Sequence, residues 1–427
     1  MIVTPVKWIE DAVPDTAHSL ALISAVDPAL LGLIDLALSG EDAVVIRASL
    51  LPQEGPEGIV RLVSTGGLDQ EPVSLDLPMP THCHTCSLRE VLVAVAQDRA
   101  IQDPGGTTVV LLPPAIELVH LVPRLAQELE EVGRAEGLDL RLAGVAHALE
   151  ASTAQDELLE HHLLSERGLE AHPEDARCTG EVHMVNLGYA DLILSLGQDE
   201  AGAGADLIEH LRPHSTLLLP GMDAPLLECL LAITHDAGAA IGRVHPATTQ
   251  AWGGPDEHGV WTLDLFATLP FHPGRLRELV ADLAGHGLCA RGCFWLPSRP
   301  GRVCAWEVAG GALSVGDAGS WAEVPDLPGA GGAQAGALAG VGLDGGAASG
   351  AAPAPGRPAP VPGGAPDGAA PGEPRCHLVV TGVGDPQVRE QVRRAFDRVL
   401  LRSEEMSHAL AWIGVDDGLG DWFGGED

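Results

Sequence analysis

Short apolar runs alternate with amphipathic stretches through the first half of the chain. The runs are rich in Val, Ile and Leu, and they cover residues 20–26, 42–50, 107–115, 139–149, 189–197 and 215–221. Between them, stretches such as residues 117–137 repeat apolar side chains at intervals of three and four. Buried strands separated by amphipathic helices predict an α/β fold with a mostly parallel sheet flanked by helices.

The pattern changes after residue 240. Strand-like runs at residues 260–271, 288–298, 302–311 and 312–319 are joined by turns, and residues 272–287 form the one helical stretch between the first two. This predicts a smaller α+β domain. Residues 375–384 again resemble a strand and residues 385–401 a helix, which we expect to return to the same domain.

Gly, Ala and Pro fill 38 of the 52 positions from 323 to 374. Such a segment buries too little apolar surface to offset its ordering entropy, so it predicts a disordered linker insertion. The expected domains are therefore 1–240, then 241–322 and 375–427 as two parts of one domain, with the 323–374 linker inserted.

Charge narrows the classes of function. The formal net charge is −36, and Lys7 is the only lysine among 24 basic residues. A surface this acidic repels phosphate backbones, so direct nucleic-acid binding is not expected. No signal peptide and no membrane-spanning run is recognisable. These features, with eight cysteines spread along the chain, predict a cytoplasmic protein with reduced thiols and no membrane association.

The densest set of potential metal ligands lies in THCHTCSLREVL, residues 81–92. Cys83 and Cys86 form a Cys-x-x-Cys pair, and His82 and His84 flank the first cysteine. Thiolates and imidazoles this close together favour a zinc site. A redox pair, or two inert cysteines in a loop before a helix, are the alternatives that the spacing leaves open.

This stretch resembles the metal motif of CobW-type GTPase metallochaperones, the family that also includes HypB- and UreG-related proteins. That motif reads Gly-Cys-x-Cys-Cys and precedes Arg-Glu-Asp-Leu. Here Cys83 and Cys86 keep the outer cysteines, Thr85 replaces the middle one, and His82 takes the glycine position. Residues 89–92, REVL, match the following segment except for a valine in place of the aspartate.

The second domain is also similar to the CobW C-terminal domain. The matching segments, in the family's order, are LPFHPGRLRELV at 269–280, ARGCFWLPSRPGRVCAWEVAGGALSV at 290–315, LLRSEEM at 400–406 and DDGLGDWFGGED at 416–427. The resemblance implies zinc or cobalt homeostasis, with metal held by Cys83, Cys86, His84 and His82. It also implies a client protein or ribosome-associated factor as partner, and it leaves a homo-oligomer open.

The phosphate site departs from the family. Members carry Gly-x-x-x-x-Gly-Lys-Ser/Thr after the first strand, where backbone amides, the lysine and the hydroxyl hold the phosphates and Mg²⁺. Here that strand runs into AVDPALLGLIDLAL, residues 25–38, and GQDEAG at 197–202 replaces the guanine-selecting Asn-Lys-x-Asp turn. We therefore expect a degenerate P-loop NTPase-like domain without GTP, Mg²⁺ or enzymatic activity. The alternative is a GTP-dependent metallochaperone with an atypical phosphate loop.

The remaining histidines and cysteines are weaker candidates. The histidines between 161 and 172 are expected to be solvated, and His258 to lie in a connector between the domains. Cys289, Cys293 and Cys304 fall in predicted strands and are expected to pack as small apolar residues.

Overall fold

A computed structural model describes residues 17–52, 58–65, 72–222, 225–285, 287–325 and 372–423. The strands in these ranges are β1 His18–Ala25, β2 Val44–Leu51, β3 Ile59–Thr65, β4 Val73–Pro78, β5 Thr107–Leu111, β6 Leu140–Glu150, β7 Leu192–Leu196, β8 Leu217–Pro220, β9 Val260–Ala267, β10 Leu288–Phe294, β11 Arg302–Ala309, β12 Ala312–Ser320 and β13 Cys376–Val383.

The α-helices in the same ranges are α1 Pro28–Leu38, α2 His84–Gln102, α3 Leu118–Glu136, α4 Ala154–Leu159, α5 Thr179–Tyr189, α6 Ala203–Leu211, α7 Leu226–Leu231, α8 Ala237–Val244, α9 Pro273–Leu283 and α10 Pro386–Val399. Short 3₁₀ helices cover Leu164–Arg167, Pro246–Thr248, Trp321–Glu323, Glu405–Trp412 and Gly420–Phe423. Among the described helices, none combines the length and the apolar character needed to cross a lipid bilayer.

Eight strands form the larger sheet, in the order β4-β3-β2-β5-β1-β6-β7-β8. The pairs β1/β5, β2/β5 and β7/β8 are parallel. Every residue of β1 and of β7 is buried, as expected of strands covered on both faces. The predicted fold class, a mostly parallel α/β sheet flanked by helices with a second, smaller domain, is confirmed.

Helix α3 shows how the apolar spacing of the sequence becomes packing. Its buried side chains recur at intervals of three and four residues: Leu118, Leu121, Val122, Leu125 and Leu129. The helix ends at Gly137, whose φ of 69° is the left-handed conformation that favours glycine. The 117–137 pattern therefore predicted both the helix and the face that it buries.

Strands β3 and β4 were not predicted from the sequence. They extend the larger sheet from β2 by antiparallel pairing. Most side chains of β4 are exposed, including Val73 and Leu75, so its apolar residues do not mark a buried strand. The sheet is therefore mixed at this edge.

The second sheet has five strands in the order β12-β11-β10-β13-β9, and each neighbouring pair is antiparallel. Strand β13 follows the Gly/Ala/Pro-rich segment in sequence but lies between β10 and β9. Aromatic rings fill the core against this sheet: Phe271 stacks on Phe294 with centroids 5.1 Å apart and meets the edge of Phe396 at 5.6 Å.

Two compact units divide the chain. One comprises residues 1–146 and 222–237, and the other comprises 147–221 and 238–427. The predicted boundary at residue 240 remains a prediction. Most of the predicted 323–374 linker, residues 326–371, lies outside the described residues.

Replacing Phe271 with Ala is expected to destabilise the unit that contains the second sheet by about 3–5 kcal/mol, because a fully buried ring is lost between two other rings. Urea unfolding followed by tryptophan fluorescence measures the change, since Trp306 is buried in the same core. The control is Val415→Ala, at a side chain that is 56% exposed, with an expected change within about 0.5 kcal/mol. Equal unfolding midpoints for the two variants would contradict this assignment of the core.

Candidate metal centre

The Cys-x-x-Cys pair lies at the start of α2. Cys83 is the N-cap residue, with extended backbone angles, and Cys86 lies in the first turn. The loop before the helix is closed by Ser87, which is fully buried and whose hydroxyl donates to the Thr81 carbonyl at 2.9 Å. The hydroxyl of Thr81 in turn donates to the Cys83 carbonyl at 3.3 Å. This small network holds the cap residue in one position relative to the helix.

The helix cap brings the two cysteines to the same side. The backbone N–H of Cys86 donates to the Cys83 Sγ at 3.3 Å, so sulfur takes the role that a hydroxyl or carboxylate oxygen has in most N-caps. Cys83 is exposed and Cys86 is half-buried. Neither sulfur is in a disulfide, and that of Cys83 faces solvent.

The two thiols differ in acidity. The hydrogen bond from the Cys86 thiol, followed by backbone N–H groups and the charge of Arg89, lowers the pKa of Cys83. The same thiol contact, together with burial, raises the pKa of Cys86. The first thiolate therefore forms at Cys83, and thiolate is the form that attacks electrophiles and binds metals.

Arg89 connects the thiol pair to the neighbouring helix. Its Nη1 lies 3.9 Å from the Cys86 Sγ, and its Nε donates to Glu128 of α3 at 2.9 Å. Both side chains of this ion pair are largely buried, at 17% and 19% exposure. The carboxylate of Glu128 thus holds the guanidinium beside the sulfurs, where its charge favours a thiolate.

The two predicted histidine ligands do not form a three-ligand group with the cysteine pair. His82 is exposed and His84 is half-buried in the first turn of α2. Across the described ranges, no three ligand atoms from His82, Cys83, His84 and Cys86 lie mutually within 4.8 Å. The structure therefore brings the two sulfurs together, and neither imidazole joins them in a group of three converging ligand atoms.

Three other side chains that can bind metal ions lie close to one another. Asp206, Glu257 and His258 place one ligand atom each within 4.8 Å of one another, and no other such group occurs in the described part of the chain. The sequence analysis predicted that His258 lies in a connector between the domains, and it did not identify Asp206 or Glu257 as candidate ligands. Asp206 and His258 are 52 positions apart, so no local spacing could have paired them.

The two turns expected to have lost their nucleotide contacts carry aspartates that bind backbone amides. Asp27 caps α1 and accepts from the Ala29 N–H at 2.7 Å, with Pro28 at the first helical position. Asp199, in the 197–202 turn, accepts from the N–H groups of Gly204 and Ala205 at 2.7 and 3.1 Å. A carboxylate at the start of a helix occupies the place where a phosphate would bind.

The cysteines predicted to pack in strands do so. Cys289, Cys293 and Cys304 are fully buried, and burial raises the pKa of Cys293 and of Cys304 to about 12. The expectation for the 161–172 histidines was incomplete, since the Nδ1 of His161 lies 2.8 Å from the Gly310 carbonyl. That histidine is tied to the β11–β12 turn.

The curated relatives are mycobacterial. The chain is 28% identical over 255 residues to "Zinc chaperone Rv0106" of Mycobacterium tuberculosis H37Rv, a match covering 56% of this chain and 58% of that protein. The same figures apply to two uncharacterized proteins, Mb0109 of Mycobacterium bovis and MT0115 of M. tuberculosis CDC 1551. The chain thus matches little more than half the length of these relatives.

Two other comparisons add no argument about function. No model of a known protein family matches the chain. Among solved structures, the Zn(II)-bound YjiA GTPase from E. coli is similar over 90% of this chain and 99% of that one, with 11% identity and a TM-score of 0.30.

In metal-free protein, limiting iodoacetamide is expected to alkylate Cys83 before Cys86, with a rate that rises at lower pH than for an ordinary thiol. The physical reason is the lowered pKa of Cys83 and the raised pKa of Cys86. Peptide mass spectrometry after a timed quench at several pH values measures both sites. Cys86→Ala removes the side-chain donor and should shift the Cys83 profile to higher pH, whereas Cys229→Ala should not. Equal rates at the two cysteines would contradict the assignment.

Proposed function

We propose that this chain is a CobW-like zinc-homeostasis protein that binds zinc at the Cys83/Cys86 pair. The observation that carries the proposal is the pair's geometry, with two reduced sulfurs on one side of the first turn of α2 and the more acidic one exposed. The mycobacterial relative named a zinc chaperone supports the choice of metal. The ordered CobW-like segments in both halves support the choice of family.

Zinc prefers four ligands, and two sulfurs supply half of them. His84 and His82 are the proposed candidates for the rest, because they flank Cys83 in sequence. Water or a group on a partner protein fills any position that they leave. An incomplete, exposed site suits a protein that passes its metal on, since an open position lets a receiving ligand attack.

The proposal includes no GTP hydrolysis. The chain lacks the phosphate-loop lysine and hydroxyl in its sequence, and the Asp27 carboxylate accepts from the Ala29 amide at the start of α1. Removing both phosphate contacts removes the main charge stabilisation of phosphoryl transfer. A GTP-dependent metallochaperone with an atypical phosphate loop is the alternative, and it requires arginines to replace the lysine.

The proposed site of action is the cytoplasm, where thiols stay reduced. The CobW-like second domain is proposed to contact a client protein or a ribosome-associated factor that receives or senses the zinc. This part of the proposal rests on the family resemblance and on the second domain's own sheet, which the chain completes by returning with β13 after residue 372.

Combining Cys83→Ser with Cys86→Ser is expected to abolish thiolate coordination of a bound metal, and either single change is expected to weaken it. Co²⁺ substituted for zinc reports this directly, because thiolate ligands produce intense sulfur-to-metal charge-transfer absorption in the near ultraviolet. The matched control is Cys229→Ser, which removes another half-buried reduced thiol. Retention of the full charge-transfer band in the double variant would overturn the proposed site.

GTP with Mg²⁺ is expected to leave the thermal stability of the full chain unchanged. A ligand that binds the folded state alone stabilises it by about 2.7 kcal/mol at 100 times its dissociation constant. Thermal unfolding with millimolar GTP·Mg²⁺, compared with Mg²⁺ alone, tests for that shift. A clear GTP-specific increase would favour the alternative function.

A further inference from the structure

We propose that Asp206, Glu257 and His258 form a second metal site, which binds a divalent first-row cation such as Zn²⁺ through one nitrogen and two oxygen ligands. The site lies in the unit that contains the second sheet, where α6 supplies Asp206 and the segment before β9 supplies the other two. It is independent of the proposed thiol site and contains no cysteine.

The ligand atoms are close to binding geometry. All three lie within 4.8 Å of one another, and the Nδ1 of His258 is 2.7 Å from the Oδ2 of Asp206. Around a tetrahedral zinc with bonds of about 2.1 Å, neighbouring ligand atoms are about 3.4 Å apart. Small side-chain rotations therefore suffice to place an ion among them.

The position of the His258 ring is set by its surroundings. Gly202, at φ 75°, lies against the ring so closely that an added Cβ would come within 2.8 Å of three ring atoms. His258 itself has a φ of 47°, which is uncommon for a residue with a side chain. Asp199 caps the start of α6 through Gly204 and thereby holds the turn that carries Asp206.

The charges suit a divalent ion. Two carboxylates and a neutral imidazole bring a charge of −2, which a divalent cation cancels. The Oδ2 of Asp206 already lies 2.7 Å from the Nδ1 of His258, and the Glu257 carboxylate completes the group of three. A metal ion bound there would take the Nδ1 lone pair and one oxygen of each carboxylate.

The ligand types and the exposure select the class of metal. An imidazole with two carboxylates suits zinc, manganese, cobalt or nickel more than it suits Ca²⁺ or Mg²⁺, which prefer oxygen alone. Glu257 and His258 are exposed and Asp206 is half-buried, so the ion has an open path and water completes its coordination. The absence of thiolates predicts weaker zinc binding here than at a complete thiolate site.

The test uses the full chain carrying Cys83→Ser and Cys86→Ser, which removes the thiol pair and leaves the second site. After chelator treatment, Zn²⁺ is titrated by calorimetry. One equivalent is expected to bind. Adding His258→Asn or Asp206→Asn should weaken that binding at least tenfold. Asparagine tolerates a left-handed backbone, so His258→Asn removes the imidazole without opposing the φ of residue 258.

His120→Asn is the matched control. His120 is an exposed histidine 3.0 Å from the single carboxylate of Glu117, and no third ligand converges there in the described structure. Unchanged zinc affinity in this variant, with weakened affinity in the two site variants, supports the proposal. Zinc binding that survives His258→Asn and Asp206→Asn, or that falls equally in His120→Asn, identifies general surface binding and overturns it.

Glu257→Gln keeps the size of the third proposed ligand's side chain and leaves the His258–Asp206 contact in place. It should also weaken zinc binding, in a variant whose cooperative unfolding shows that it is folded. The outcome does not depend on the proposed zinc-homeostasis role. Loss of cobalt charge transfer in the cysteine variants tests that role separately.

Discussion

The hydrogen bond from the Cys86 amide to the Cys83 sulfur is the interaction on which the chemistry of the thiol pair depends. A helix leaves its first amides without partners inside the helix, and here a sulfur accepts one of them. That contact keeps Cys83 at the cap and turns Cys86 toward it. The same helix start makes the two thiols differ in pKa. The backbone amides, the Cys86 thiol donor and the charge of Arg89 all favour the thiolate form of Cys83.

The start of a helix also shapes the β1–α1 turn. Exposed amides and the helix dipole attract anions, and nucleotide-binding folds place phosphates there. In this chain Asp27 supplies the anion from its own side chain, and Pro28 removes one amide donor. The turn therefore stabilises the fold while presenting negative charge to any phosphate. The proposed loss of GTP binding and hydrolysis follows, because the Asp27 carboxylate takes the place that a nucleotide phosphate would occupy.

The two groups of potential metal ligands are brought together in different ways, one by sequence spacing and the other by tertiary structure. The thiol pair is local, because three positions on a helix turn bring Cys83 and Cys86 to one side. The Asp206–Glu257–His258 group is tertiary, because a helix and a distant loop must meet. The first favours soft metal ions through sulfur, whereas the second offers nitrogen and oxygen. The two proposals together give the chain two chemically distinct environments for zinc, one based on thiolates and one on imidazole and carboxylates.

The sequence alone determined the fold class and most elements, because buried strands and amphipathic helices have apolar periods that are properties of neighbouring residues. It also identified the thiol pair, since its spacing matches one helix turn. Only the tertiary structure decided which strands became neighbours, that β3 and β4 extend the sheet, and that Glu128 holds Arg89 from 39 positions away. It also decided that His258 meets Asp206. These contacts join segments that lie far apart along the chain, so no local residue pattern predicts them. They form because the packing of the whole fold brings the segments together.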